Sequence, residues 1–262
     1  YATDPMLIYF TSGTTGHPKM ALHNFLYPLG HIVTAHFWHT NTEGGLHFTL
    51  SDTGWGKAAW GKLYGQWMSE CTVFVYDFDR FDAKDILSKM SQYRIETFCA
   101  PPTMYRMMTQ EKVSEYDLSA LRHCCSAGEP LQPEVSANWM EQTGLGIYEG
   151  FGQTELTCCL GTLPGMEIKL GSMGKPMPGY DVFVSDPNGK PCKPGVSGEI
   201  CIHVGDSPAP GLFSGYFRDE ALTKAAWHDG VYHTGDTAYM DEDGYFWYVG
   251  RADDIIKSAG YR

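Results

Sequence analysis

The sequence predicts an α/β fold: a mostly parallel sheet with helical crossovers, followed by a smaller β-rich subdomain. From about residue 5 to 170, short apolar runs alternate with helical patterns. From about residue 171 onward, glycine and proline become frequent and long helical patterns largely disappear. The 262 residues, 43% hydrophobic and only 19% charged, can bury a full core and show no disordered or collagen-like bias.

Strand-like runs in the first region cover residues 6–10, 46–50, 72–76, 97–99 and 122–126, with helix candidates near 24–38, 55–68, 82–93, 102–110 and 133–142. One helix start is readable in detail: Asp82 can cap the orphan amides while Phe81 packs on Ile86 or Leu87. Later strand candidates, at 180–185, 198–204 and 245–249, are separated by turns such as Asp186-Pro187-Asn188-Gly189 and Asp241-Glu242-Asp243-Gly244. The expected organisation is an α/β nucleotide- and acyl-binding unit over 1–170 and a β-rich unit over 171–252. No internal repeat or low-complexity tract is evident.

A formal net charge of −12 argues against a nucleic-acid partner, which calls for a basic stripe. An anionic ligand therefore needs a divalent cation and a few well-placed Lys or Arg residues. The longest apolar runs fall far short of the roughly 20 residues that cross a bilayer, so no membrane span is expected. The first residues lack the basic and apolar regions of a signal peptide, and the missing initiator Met is consistent with a lost start. Eight cysteines include no Cys-x-x-Cys pair, which disfavours zinc and suggests reduced, buried thiols in a cytoplasmic protein.

The first chemical signal is Thr11-Ser12-Gly13-Thr14-Thr15-Gly16-His17-Pro18-Lys19, directly after an apolar run. Two glycines permit unusual backbone angles, four hydroxyls can donate, and Lys19 adds charge, a combination suited to wrapping a polyphosphate. It is not a Walker loop, because Gly13 and Gly16 stand three apart and Pro18 precedes Lys19. Alone, the segment is also compatible with a flexible polar loop between strands.

This loop resembles the Thr-Ser-Gly-Thr-Thr-Gly-x-Pro-Lys signature of the adenylate-forming superfamily. Further matches follow in the family's order: Ser126-Ala127-Gly128-Glu129-Pro130, Tyr148 through Glu155, Tyr232-His233-Thr234-Gly235-Asp236, and Gly250 through Lys257. The resemblance spans the whole chain. Ser51-Asp52-Thr53-Gly54-Trp55 is similar to a segment of the medium-chain acyl-CoA synthetases.

The resemblance implies ATP, Mg²⁺ and coenzyme A as ligands, the last as co-substrate, and it implies residue roles. Thr11, Ser12, Gly13, Thr14, Thr15, Gly16 and Lys19 grasp phosphate. Gly128, Glu129 and Pro130 wall an adenine pocket in which Phe151, beside Gly152 and Gln153, stacks on the base. The family more often has Tyr at Phe151; stacking survives that change, but a hydroxyl is lost. Thr154 contacts the α-phosphate and Glu155 holds the metal. Asp236 accepts from the ribose hydroxyls, Arg251 also reaches the ribose, Arg262 approaches the phosphate, and Asp253 is the hinge to a C-terminal domain.

The implied reaction has two steps: a carboxylate attacks the α-phosphate and expels pyrophosphate, and a thiolate then attacks the acyl-adenylate and releases AMP. None of the histidines has the companions of a nucleophilic triad. Family members run to roughly twice this length, so the chain is expected to be incomplete for catalysis, with residues 253–262 starting an absent domain. Two alternatives stay open: an amino-acid-activating adenylation domain, or a nucleotide-binding fragment inactive by itself. The substrate wall is expected to include Trp55, Gly56, Ala127 and Gly152. The small size of the last three points to an open channel for a medium-chain or aromatic acid.

Overall fold

The computed structural model describes residues 1–11, 18–54, 56–205 and 208–252. The chain opens with a hairpin, β1 (Pro5–Thr11) and β2 (Lys19–Asn24), whose ends Thr11 and Lys19 are register partners. Helix α1 (Tyr27–Val33) runs into a π-helical turn over Thr34–Trp38. Then come β3 (Leu46–Thr49), α2 (Gly56–Lys62), α3 (Tyr64–Met68), β4 (Thr72–Phe74), α4 (Ala83–Gln92), β5 (Thr97–Ala100), α5 (Pro102–Met108), β6 (His123–Ala127), α6 (Pro133–Thr143) and β7 (Ile147–Gly152). The second half holds β8 (Cys158–Gly161), β9 (Ser172–Pro176), β10 (Asp181–Ser185), β11 (Gly198–His203), β12 (Gly215–Tyr216), α7 (Glu220–Ala226), β13 (Trp227–His228), β14 (Val231–Met240) and β15 (Phe246–Arg251).

One large sheet runs in the order β10-β11-β14-β15-β9-β8-β7-β6-β5-β3-β4, with β13 on β14. Strands β4, β3, β5, β6 and β7 pair in parallel, joined by helical crossovers, and every pairing from β7 to β10 is antiparallel. The α/β class read from the sequence is therefore present, with parallel pairing confined to five strands.

Period-2 alternation decides what each face buries. Phe98 and Cys124 join Ile86, Leu87, Tyr105 and Trp139 of α4, α5 and α6 in one apolar cluster. Cys99, Cys125 and Ala127 turn the other way, toward Trp38 and Trp60. A third cluster, with Leu160, Ile200, Tyr232 and Phe246, fills the antiparallel half. Adjacent cysteines thus point to opposite faces, and all eight are free thiols. Helix α4 begins as its sequence implied: the Asp82 carboxylate accepts from the amides of Lys84 and Asp85 at 2.9 and 3.3 Å, and Phe81 packs against the cluster that contains Ile86 and Leu87.

Two expectations are corrected. The first strand does not enter the parallel sheet; it pairs antiparallel with β2, which also pairs with β12, in a separate three-stranded sheet. The segment 24–38 is not one helix either, since β2 runs to Asn24 and the helix begins at Tyr27, with Pro28 in its first turn. The short, mixed run Lys19-Met20-Ala21-Leu22-His23-Asn24 merges with the following helical pattern, which conceals the boundary.

Gly174, where the sheet passes from β8 to β15 through β9, has φ +88°, and a Cβ there would stand 2.0 Å from the Gly161 carbonyl carbon. Both strain and backbone collision follow from any side chain. Gly174→Ala is expected to destabilise by more than about 2 kcal/mol. By contrast Gly189→Ala, at φ +78° with open space around it, is expected to lose about 1 kcal/mol. Chemical denaturation of the two variants reads the difference; equal midpoints would refute the packing argument.

Candidate functional site

A cleft of about 960 Å³ lies where β6 and β7 end and beside the middle of β14, and Lys19, Ala127, Gly152, Thr154, Glu155 and Asp236 contribute to its walls. A smaller cavity of about 180 Å³ adjoins it, walled by Gly128, Glu129 and Pro130 on one side and Phe151, Asp236 and Tyr248 on others. Thr11, Gly56, Gln153 and Arg251 also face the larger cleft. Residues far apart in sequence are thus brought together. Ser12, Gly13, Thr14, Thr15, Gly16, Trp55, Asp253 and Arg262 lie outside the described residues.

The polar heart of the cleft is built on Gln153, which follows β7. Its amide donates to the Thr234 carbonyl at 2.9 Å and to the Asp236 carboxylate, and its carbonyl accepts from the Tyr232 hydroxyl at 2.7 Å. Tyr248 donates to the other Asp236 oxygen at 3.2 Å, and Arg251 forms an ion pair with Asp236 at 3.3 Å. Burial pushes the Asp236 carboxyl upward, and Arg251, Gln153 and Tyr248 oppose that shift.

Next along the chain, the Thr154 carbonyl accepts from His23 Nε2 at 2.8 Å. A carbonyl only accepts, so this ring carries its proton on Nε2; burial lowers its pKa to about 4, which keeps it neutral. One Glu155 oxygen accepts from the Tyr216 hydroxyl at 2.8 Å, and the Glu155 carbonyl accepts from the Phe213 amide at 2.7 Å. Lys19 Nζ sits 5.4 Å over the Tyr216 ring. Tyr216 therefore links Lys19, at the start of β2, to Glu155.

The wall beside Gly152 differs from the open channel expected. A Cβ at Gly152 would meet the Trp60 ring at 2.3 Å and the Thr157 carbonyl oxygen at 2.5 Å. Trp60 occupies the space that the glycine leaves, so the small residue accommodates an indole from α2 instead of opening a channel. At Gly56 a Cβ would touch Thr154 only at ordinary contact distance, 3.9 Å. Buried Lys57 donates to the Ala127 carbonyl at 2.7 Å, and burial lowers its pKa.

Comparison with known proteins decides the family. The model of the AMP-binding enzyme family matches residues 2–217. The chain belongs to the AMP-binding enzyme family. Among curated relatives of this AMP-binding chain, the acyl-coenzyme A synthetase ACSM3, mitochondrial, of Pongo abelii is 46% identical over 98% of the chain and 44% of its own length. The human ACSM4, also named mitochondrial, is 45% identical over 99% of the chain and 45% of its own length. The chain thus spans about half the length of the curated relatives it matches. Among solved structures, the anthranilate CoA ligase AuaEII in complex with anthranoyl-AMP superimposes with a TM-score of 0.87 at 30% identity, covering 97% of this chain and 48% of that one. ATP-bound MatB from Rhodopseudomonas palustris gives 0.87 at 26% identity, covering 97% and 49%.

The two curated relatives overturn the cytoplasmic expectation, because both are named mitochondrial and point away from the cytoplasm. Free thiols indicate a reducing compartment but do not say which one. Within the AMP-binding fold, sequence reasoning also missed the parts played by Tyr216, Tyr232, Tyr248, Trp60 and His23. Tyr232 lay inside a matched motif, but its partner Gln153 is 79 residues away, a link only the fold makes.

Glu149 was quoted only as part of a motif, yet it is buried against the smaller cavity and accepts from the amides of Leu131 and Gly171 at 3.3 and 3.2 Å. Burial raises its carboxyl to about 8, against the lowering effect of those amides. A raised folded-state pKa favours the protonated fold, so this stability is fully present below the ordinary value of 4.5 and is lost progressively between there and about 8. Calorimetry from about pH 5 to about pH 8 should show a falling unfolding midpoint that Glu149→Gln flattens. Parallel pH slopes in the two proteins would contradict the assignment.

Proposed function

We propose that this chain is the nucleotide- and acid-binding part of an AMP-forming acyl-CoA synthetase, an ATP-driven acid–thiol ligase. The carrying observation is that Thr154 and Glu155 share one cleft with the Gln153–Asp236–Arg251 network, and that a smaller cavity beside it has Phe151 facing Gly128, Glu129 and Pro130. The names of the acyl-CoA synthetase relatives and the anthranoyl-AMP and ATP complexes of similar structures support this reading.

In the proposed arrangement adenine lies in the smaller cavity against Phe151, and Asp236, held by Gln153, Tyr248 and Arg251, accepts from the ribose hydroxyls. The phosphates then extend toward Thr154, Glu155 and Lys19. Among the described lining residues, the cations Lys19, Lys57 and Arg251 face the carboxylates Glu155, Glu199 and Asp236. Such a cleft does not neutralise a polyphosphate by itself. The Glu155 carboxylate, a hard oxygen donor fixed by Tyr216, fits a magnesium ion that takes one carboxylate and several phosphate oxygens. When bound, the ion offsets phosphate charge.

The acid's carboxylate oxygen bonds to the α-phosphorus as the bond to pyrophosphate breaks. The coenzyme A thiolate then bonds to the acyl carbon, and AMP leaves with the oxygen. Thr154, anchored through His23, donates toward the α-phosphate, and the protein acts by positioning and electrostatic stabilisation. We assign the acyl group to the part of the cleft near Gly56, Ala127 and Trp60, where Trp60 limits depth and favours a medium-chain or aromatic acid. The division into two subdomains at about residue 170 and the hinge at Asp253 belong to the same proposal.

Acid-dependent pyrophosphate–ATP exchange by the full-length protein, over a panel of hexanoate, benzoate, acetate and amino acids, tests the reaction. Fatty or aromatic acids should support exchange, and Glu155→Gln should lower it by about ten- to hundredfold at limiting Mg²⁺. Exchange only with amino acids would overturn the substrate class. Trp60→Ala should shift kcat/KM toward longer acids, by up to about fourfold for each added methylene. An unchanged chain-length profile in a folded variant would move the acyl group elsewhere.

A further inference from the structure

Strand pairing brings together a donor set that sequence spacing conceals. Cys201 of β11 and His233 of β14 are direct register partners, 32 residues apart in the chain. Between the pairs Glu199–Thr237 and Cys201–His233, one residue of β11, Ile200, faces three of β14, so β14 bulges over Thr234–Asp236, with Gly235 at φ +70°. The bulge sends the Gly235 amide to Glu199 Oε1 at 2.9 Å, while Glu199 Oε2 lies 2.9 Å from His233 Nδ1. Cys201 Sγ lies 3.5 Å from that same Nδ1. The three ligand atoms all fall within 4.8 Å of one another.

We infer that Glu199, Cys201 and His233 form a binding site for a zinc-like, borderline-soft divalent cation at the edge of the cleft. Donors held about 2.0–2.3 Å from a tetrahedral ion stand about 3.3–3.6 Å apart, so the 3.5 Å sulfur–nitrogen pair already has that spacing and the 2.9 Å nitrogen–oxygen pair opens by a few tenths of an ångström. Glu199 is held by the Gly235 amide, and the His233 ring by a parallel stack on His228 at 4.2 Å. Glu199 and His233 line the cleft while Cys201 is buried behind them, so a fourth position opens to the cleft for water or a phosphate oxygen. Thiolate and imidazole select such an ion over magnesium, which separates this site from the oxygen donor Glu155.

Binding releases the proton of the Cys201 thiol, and His233 offers Nδ1 to the ion. The site does not rest on the proposed reaction, and its test needs no nucleotide.

Titration of the protein with Co²⁺ in excess Mg²⁺ should give one equivalent bound, with a thiolate-to-cobalt charge-transfer band and tetrahedral d–d absorption. Cys201→Ser should abolish the charge-transfer band, and Cys192→Ser, outside the cluster, should keep it. Absence of the band in the parent protein, or its persistence in Cys201→Ser, overturns the inference. Should the buried serine prevent folding, Glu199→Gln and His233→Gln serve in its place. Each is expected to raise the Co²⁺ Kd at least about tenfold, and unchanged affinity in both folded variants overturns the site.

Discussion

Gln153 is the joint on which the cleft depends. It stands where the parallel half of the sheet ends, and its side chain reaches Tyr232, Thr234 and Asp236 of the antiparallel half. Only an amide satisfies all three, because it presents a donor group and an acceptor in one plane. A glutamate would set a second carboxylate against Asp236, and a leucine would leave buried groups without their partners, at about 1–3 kcal/mol each. The same bonds that join the two halves also orient the carboxylate facing both cavities, so fold and site share one network.

Charge is managed locally in a chain whose net charge is −12. The carboxylates of the cleft are each tied to a donor: Glu155 to Tyr216, Asp236 to Gln153 and Arg251, Glu199 to Gly235 and His233. Buried histidines behind the cleft, including His23, His31 and His47, are held neutral by burial and add no positive field. The chain therefore presents hard and soft donor groups at separate places. In the proposed reading Glu155 takes a phosphate-bound magnesium, and in the further inference the thiolate and imidazole of the β11–β14 pair take a different ion.

Much of the fold was legible because local pattern and tertiary structure agree. The apolar runs at 46–50, 97–99 and 122–126 lie on β3, β5 and β6, and the Asp82 cap starts α4. Strands β7, β8 and β9 were harder to see, since Gly150, Gly152, Gly161 and Gly174 weaken the strand pattern while close packing, by side chains such as Trp38 and Trp60 or by backbone at Gly174, requires them. At the site, motif order identified the residues that meet in the cleft but not what fills it. Trp60 looks like an ordinary helical aromatic, and its ring reaches Gly152 only through the packing of α2 against the sheet. The absence of a Cys-x-x-Cys pair likewise says nothing about a cysteine paired across strands with a histidine.

The central claim is that the Gln153-held carboxylate of Asp236 receives the nucleotide. Calorimetric titration of AMP into the full-length protein and its Asp236→Asn variant tests it most directly, with circular dichroism confirming the fold of both. The account predicts AMP affinity at least about tenfold weaker in the variant, about 1.4 kcal/mol. Equal affinity in a folded Asp236→Asn protein would contradict it.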